Sequence, residues 1–229
     1  MAVIDTEIRA REARRGDALD AGWRPPAPPA RHDGNGDGEL PARPEGLPIS
    51  NARLGMLMLL GGETMFFGGL VIAFLQLRLG AADWPPAGQP RLPIGLTAVN
   101  TLVLLASSWM LVRALRAVRA GDQGALVRRL GWTWALGVLF LFIQGVEWTR
   151  LVHYGLGVSS GIYGATFYTL IGVHGVHVLG AVAWLGGVLW LAWRGRFTPS
   201  RYVGLECCAI YWHFVVALWP VLYVLVYLV

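Results

Sequence analysis

Five stretches of the chain are apolar almost without interruption, and each is long enough to cross the hydrocarbon core of a bilayer, which needs about 20 residues. They predict helices at roughly 54–78, 94–113, 130–150, 162–193 and 202–228. The fourth stretch exceeds what a membrane requires, so it is expected to tilt or to project beyond the bilayer. Pro220 is expected to kink the fifth. The pattern therefore predicts an all-α, polytopic membrane protein built as a bundle of five transmembrane helices.

Residues 1–50 contrast with these stretches because they contain no apolar run. They are rich in Pro, Gly, Asp and Arg, as in PPAPPA and RHDGNGDGELPARPEG. Such a composition cannot bury enough apolar surface to fold, so a disordered tail is expected. The segment also lacks the apolar core of a signal peptide, and nothing in it indicates cleavage. The predicted organisation is a tail at 1–50 and a membrane domain at 51–229.

The composition supports a membrane location. Of the 229 residues, 55% are hydrophobic and 14% are charged, whereas about 25% of a soluble domain is charged. All 19 basic residues are Arg. Eight precede the first span, five lie between the second and third spans, and three lie between the fourth and fifth.

This asymmetry predicts the orientation by the positive-inside rule. The N-terminus and its tail are expected in the cytoplasm and the C-terminus outside the cell (inner) membrane, with Arg78, Arg91 and Arg150 on the outer side. The net charge of +5 then reflects topology. No nucleic-acid partner is expected, because no folded soluble domain offers a basic face.

Six glutamate and histidine residues lie inside the predicted spans, where such ionisable groups are costly and usually face a partner in the bundle interior. They are Glu63, Glu147, His174, His177, Glu206 and His213. At 1.5 Å per residue, Glu63 lies about 14 Å and His213 about 16 Å from the cytoplasmic end of their spans. Glu147 and the two histidines of the fourth span lie at about 22–26 Å, and Glu206 at about 6 Å. Two polar tiers are predicted, with Glu206 apart from both.

Two interpretations of these tiers remain open. Burial disfavours a charged carboxylate, so Glu63 is expected to be neutral or to share a proton with His213. The group is then either a proton-exchanging site or an interhelical hydrogen bond that fixes helix register. The same alternatives apply to Glu147, which is expected to meet His174 or His177.

A metal site is a further alternative. His174 and His177 share one helical face, and Glu147 lies at a similar depth, so these three could bind one ion. Glu206 would lie about 20 Å from Glu147 along the membrane normal, too far to join them. The chain contains no CxxC, nucleophile triad or phosphate loop, which leaves an independent soluble-type active site without support.

Short motifs along the chain occur in the order of a known family. They are GGETMFF in the first span, DWPP after it, NTLVLLASS in the second, QGVEW at the end of the third, SGIYGATFY and GVHGVHV in the fourth, and GLECCAIYWHFV in the fifth. The run from Leu54 to Val229 resembles subunit III of the haem-copper oxidase superfamily, specifically of cytochrome c oxidase. The tail lies outside the resemblance.

The resemblance implies a five-helix form of a subunit that often has seven helices. It implies no haem, copper or other metal in this chain, with both expected in partner subunits. The family's subunit III packs against catalytic subunit I, binds phospholipid and supports oxygen access, proton uptake and stability in a complex that cytochrome c reduces. Five-helix relatives also occur with quinol oxidases and nitric oxide reductases, which form the first alternative. A stand-alone membrane metalloenzyme or proton carrier is the remote one.

The resemblance also assigns residues. Glu63 matches the family's buried, carbodiimide-reactive glutamate, and the other five ionisable residues match its motif positions. Lipid or subunit contacts are expected at Trp84, Arg194, Trp212 and Trp219.

Three positions depart from the family pattern. Val216 stands where Asp is common, and Gly62 replaces a usual Ser. Leu191 occupies the place of a lipid-binding arginine, for which Arg194, one turn later, is the expected substitute.

Overall fold

The computed structural model describes residues 50–86 and 92–228. Its helices are α1 (Asn51–Leu79), α2 (Ile94–Arg119), α3 (Gln123–His153), α4 (Ile162–Trp193) and α5 (Val203–Tyr223), the last continued by a π-helical turn, Val224–Leu228. All five are long and apolar enough to cross a membrane, which confirms the predicted all-α architecture. The tail prediction for residues 1–49 and the placement of Arg91 lie outside the described residues.

The helix ends differ from the predicted spans mainly between α2 and α3. The helix α2 continues to Arg119 and α3 already begins at Gln123. Arginine is polar enough to end an apolar span, but it is a good helix former and does not end the helix. A short turn suffices to reverse the chain. Gly121 supplies a φ of +74°, and the Asp122 carboxylate accepts a hydrogen bond from the Ala125 N–H at 2.8 Å. Hydropathy locates the span, whereas these caps locate the helix ends.

The helices alternate in direction, so their ends meet in two groups. At one, the Arg53 end, the Gln123 side chain at the start of α3 donates to the Ala192 carbonyl at the end of α4. At the other, the Glu147 end, the Tyr223 hydroxyl at the end of α5 donates to the Ile94 carbonyl at the start of α2, at 3.1 Å. This alternation brings the termini of distant helices within reach of one another.

The helix α1 is peripheral. It packs on α4 and α5 and buries only three side chains, those of Met56, Phe67 and Phe74. By contrast, α2 and α3 form a closely packed hairpin against α4 and α5. The main core therefore lies among the last four helices, and α1 is attached along a narrow stripe.

Two tryptophans of α5 fill the centre of the core. Trp212 and Trp219 are fully buried, and the ring of Trp212 occupies the space that a side chain at Gly137 of α3 would take. Cys207 and Cys208 are free thiols and buried, as small packing residues are expected to be. Pro220 lies inside α5, one turn before the π-helical segment.

Candidate functional site: polar contacts between the helices

Glu63 contacts α4. Its Oε2 lies 3.1 Å from Nε2 of His177, and both side chains are 20% exposed. Nδ1 of the same imidazole lies 2.7 Å from the Val173 carbonyl oxygen, and the ring of Phe67 packs edge-on against it with centroids 5.0 Å apart. The histidine is thus oriented from three sides, with one nitrogen presented to the carboxyl group of α1.

This contact corrects the expected pairing of Glu63 with His213. The His213 side chain instead faces α2, where its Nδ1 lies 2.6 Å from the Ser108 hydroxyl. Counting residues gives depth along a helix but not the direction in which a side chain leaves it. Glu63 and His213 are similar in depth, yet they occupy different faces of the bundle.

Glu147 is also bound by residues other than those predicted. Glu147 is 1% exposed. Its Oε1 accepts from the Tyr227 hydroxyl at 2.8 Å, and its Oε2 lies 2.9 Å from Thr97 Oγ1. Gln144 extends this group, since its amide nitrogen lies 3.5 Å from the Tyr227 oxygen. The predicted contact of Glu147 with the histidines of α4 is not formed.

The positions of these side chains do not support the predicted metal site of His174, His177 and Glu147. His174 is fully buried and stacks on Trp219 with ring centroids 5.1 Å apart, while His177 faces Glu63. Within 50–86 and 92–228, no three residues of the ligating types come together in an arrangement that could hold an ion. The three ligands that the alternative requires point to three different neighbours.

Glu206 lies apart from both tiers, as predicted, at the Arg53 end. The Arg53 guanidinium at the start of α1 donates to Glu206 Oε2 through both Nε and Nη2. Arg119 at the end of α2 donates to Oε1 at 3.4 Å and to the Tyr202 hydroxyl at 3.2 Å. One carboxylate, whose side chain is 9% exposed, thus connects the ends of three helices.

The four expected lipid or subunit contacts fall into two groups. Trp84 is partly buried between α1 and α4, with its ring centroid 5.8 Å from that of Phe74 and 5.1 Å from that of Tyr163. Arg194 is exposed and stacks over the ring of Trp190 at 4.2 Å. An external molecule can therefore reach Arg194, and it can reach part of the Trp84 side chain.

Trp212 and Trp219 lie in the interior rather than on a lipid-facing or subunit-facing surface. Their indole N–H groups donate to Ser107 Oγ at 3.2 Å and to Thr101 Oγ1 at 2.9 Å, respectively. Both acceptors belong to α2. The two rings therefore fix α5 against α2, with their polar atoms satisfied inside the chain.

The six glutamate and histidine residues were predicted from the sequence, but most of the residues that bind them were not. Thr97, Ser108 and Tyr227 bind Glu147 or His213, and Arg53 binds Glu206. Depth could have identified Arg53, because it begins α1 at the same end at which Glu206 begins α5. Hydroxyl residues carry no such signal, since most of those in membrane helices bond to their own backbone.

The three positions that depart from the family pattern lie in different environments. Val216 is 2% exposed in the apolar core, and Gly62 is exposed on α1 with open space around its Cα. Leu191 lines a cavity of about 490 Å³ at the Arg53 end together with Arg194, Arg196 and Arg201. Three arginines thus line the same cavity as Leu191, the position at which the resemblance places a lipid-binding arginine.

Comparison with known proteins identifies the bundle. Residues 47–229 match the family described as cytochrome c oxidase subunit III. The chain belongs to that family. Over 175 residues it is 35% identical to cytochrome c oxidase subunit 3 of Synechocystis sp., covering 76% of this chain and 74% of the relative. Matches to the proteins of the same name from Thermostichus vulcanus and Sus scrofa are 33% and 34% identical, cover 76% of this chain in each case, and cover 86% and 68% of the relatives.

The match begins just before α1 and takes in all five helices. The chain is therefore a multi-pass membrane protein of a subunit III family of respiratory membranes. Its polar contacts, which join α1 to α4 and α5 and join α2 to α3 and α5, lie inside the region that the family shares.

Proposed function

We propose that the chain is an accessory integral-membrane subunit of a cytochrome c oxidase, which reduces O₂ to water with proton translocation and receives electrons from cytochrome c. The observation that supports this most strongly is the family match over 47–229, which takes in the whole described bundle. The subunit itself carries no haem, copper or catalytic residue. Haem and copper belong to the partner subunits, among them catalytic subunit I.

The outward face of α1 is the proposed contact with subunit I or with lipid beside it. Met58, Met65 and Ile72 on this helix are 72%, 81% and 60% exposed. A side chain built at Gly61 or Gly68 would meet no atom within 4 Å. Small residues in membrane helices allow close approach of another helix. The helix that is least covered by its own chain is therefore the one suited to contact another.

Phospholipid is proposed to bind at the Arg53 end. The cavity of about 490 Å³ there combines Arg194, Arg196 and Arg201 with the aromatic ring of Trp190. Arginines at a membrane interface attract anionic headgroups, and aromatic rings favour the same depth. By the positive-inside rule this end faces the cytoplasm, so the N-terminus is cytoplasmic and the C-terminus is outside.

Glu63 and His177 are proposed to share a proton and to support proton uptake. The Val173 carbonyl can only accept, so the hydrogen of the neutral imidazole lies on Nδ1. Nε2 then carries none, and its contact with Glu63 Oε2 is a hydrogen bond only if one proton lies between them. The pair thus fits a site that holds a single exchangeable proton beneath the surface of the bundle.

The test is purification of the tagged chain from its native membrane in mild detergent, followed by a reduced-minus-oxidised optical spectrum and metal analysis of the same sample. An a-type haem signal with copper is expected. Haem of o or b type would assign the chain to a quinol oxidase or nitric oxide reductase complex. A chain that purifies without haem but with a stoichiometric metal would instead identify a stand-alone metalloenzyme.

A further inference from the structure

A cavity of about 300 Å³ lies between α3 and α4. Its wall is almost entirely apolar. Val176 and Leu179 line it and are 67% and 58% exposed, so it opens onto the outer surface of the bundle. A water molecule takes up about 30 Å³, so the cavity has room for a molecule of about ten non-hydrogen atoms.

Glycines create the space and an aromatic ring limits it. Side chains built at Gly145 of α3 or Gly172 of α4, both in the cavity wall, would meet no atom within 4 Å. At Gly175 a Cβ atom would lie 2.9 Å from Trp148 Cη2. The Trp148 ring therefore lies directly over Gly175 at one side of the cavity, next to His174.

Three polar atoms of His174 and Trp148, two of the residues that line the cavity, have no partner among the described residues. Both ring nitrogens of His174, a fully buried residue, and Nε1 of Trp148 have no hydrogen bond. Stacking on Trp219 covers one face of the imidazole but satisfies neither nitrogen. A neutral imidazole offers one donor and one acceptor, and an indole offers one donor. Buried groups of this kind are normally satisfied.

We infer that this cavity binds a neutral, membrane-dissolved amphiphile with a single hydroxyl or carbonyl oxygen. The oxygen accepts from the Trp148 N–H and bonds to the His174 ring, while an apolar body fills the space beside Gly145 and Gly172. An anionic group is excluded because no cationic side chain lines the cavity. A phospholipid headgroup is excluded by depth, since His174 lies about 18 Å along α4 from its start at Ile162.

Photolabelling of the complex in its native membrane tests this inference. The probe is an eight-carbon aliphatic alcohol that carries a diazirine, and labelled peptides are identified by mass spectrometry. Labelling of α3 and α4 at the cavity is expected to fall several-fold with excess 1-octanol or 2-octanone and to persist with octane. Competition by the alcohol alone assigns a hydroxyl ligand, and competition by the ketone alone a carbonyl ligand.

Variants provide a second measurement. His174→Phe keeps the stacking on Trp219 but removes both nitrogens, and Gly172→Leu fills the cavity; each is expected to reduce labelling several-fold. Gly180→Leu is the matched control, because Gly180 is also open and exposed on α4 but lies outside the cavity. Equal competition by octane in the unaltered complex, or full labelling of His174→Phe, would overturn the inference and leave a merely apolar groove.

Discussion

The carboxyl group of Glu63 on α1 and the imidazole of His177 on α4 meet at 3.1 Å. Because the Val173 carbonyl can only accept, Nδ1 of the imidazole carries a hydrogen, and the contact through Nε2 is a hydrogen bond when one further proton lies between Nε2 and the carboxyl oxygen. It is also one of few polar contacts that α1 makes with the rest of the bundle. The pair therefore attaches the peripheral helix to α4, and it is also the proposed site of the shared proton.

Glu63→Gln is expected to assemble almost as well as the unaltered protein. The amide N–H can donate to Nε2 of His177 without any proton being shared. Glu63→Ala leaves the partly buried imidazole unpaired, which costs about 1–3 kcal/mol. Assembly is measured as the amount of this subunit that co-purifies with haem.

Thr64→Ala is the control for this pair. Thr64 is adjacent to Glu63, but its hydroxyl bonds only to the Leu60 carbonyl of its own helix and its side chain is exposed. Assembly of this variant should be unchanged. If Glu63→Gln abolishes the complex while Thr64→Ala does not, then the charge of Glu63 holds the interface.

Glu147 is expected to carry a proton. The hydroxyl of Thr97 has one hydrogen but two oxygen neighbours, the Pro93 carbonyl and Glu147 Oε2, each at 2.9 Å. The carbonyl can only accept, so both contacts are satisfied when Oε2 donates to Thr97 Oγ1. Infrared spectroscopy should show the carbonyl stretch of a protonated carboxyl group that disappears in Glu147→Gln. The same band surviving in that variant would assign it to another residue.

Gly137→Ala is expected to destabilise the bundle. The added Cβ would lie 2.6 Å from Trp212 Cη2 and 3.1 Å from Val182 Cγ2. Overpacking of this kind costs about 1–3 kcal/mol. The midpoint of thermal unfolding of the purified complex should fall. Gly131→Ala, on the same helix with no atom within 4 Å, should not lower it.

Glu206→Gln is expected to loosen three helices at once. The substitution keeps the volume of the side chain but removes the charge that binds Arg53 and Arg119. Arg119→Gln removes one of the two ion pairs and should have a smaller effect, since the Arg119 side chain is 57% exposed. The measurement is retention of the subunit on the complex during detergent washing at low and high salt.

Glu206→Gln also removes one negative charge from the protein, and the effect of that loss alone is controlled by a variant at the other end of the bundle. Asp83→Asn, at an exposed acidic residue after α1, should leave retention unchanged. Equal retention of Glu206→Gln and Asp83→Asn would show that the two ion pairs contribute little.

The sequence predicted the spans because length and apolarity are properties of single segments. It also predicted which ionisable residues lie in them and that Glu206 is separate from Glu147. It did not predict that Glu63 meets His177 rather than His213, because that choice depends on which helices are neighbours and which faces they present. Which ionisable side chains meet is decided by how the helices pack.

The interior position of Trp212 and Trp219 was missed for a related reason. Tryptophan is common at membrane interfaces, and its sequence neighbours do not reveal whether a glycine opposite makes room for it. The partner that admits Trp212 is Gly137, on another helix. Which side chain fills the space beside a given glycine is decided by the fold.

The peripheral attachment of α1 has a consequence for synthesis. Among the five described helices, α1 is synthesised before its partners, and Glu206 follows Arg53 by 153 residues. At about 5–20 residues per second, roughly 8–30 s pass before α5 is made. His177, which Glu63 contacts, lies in α4 and is also synthesised later than α1. Of the five described helices, α1 therefore acquires its polar contacts only after both of the helices that it packs on have been synthesised.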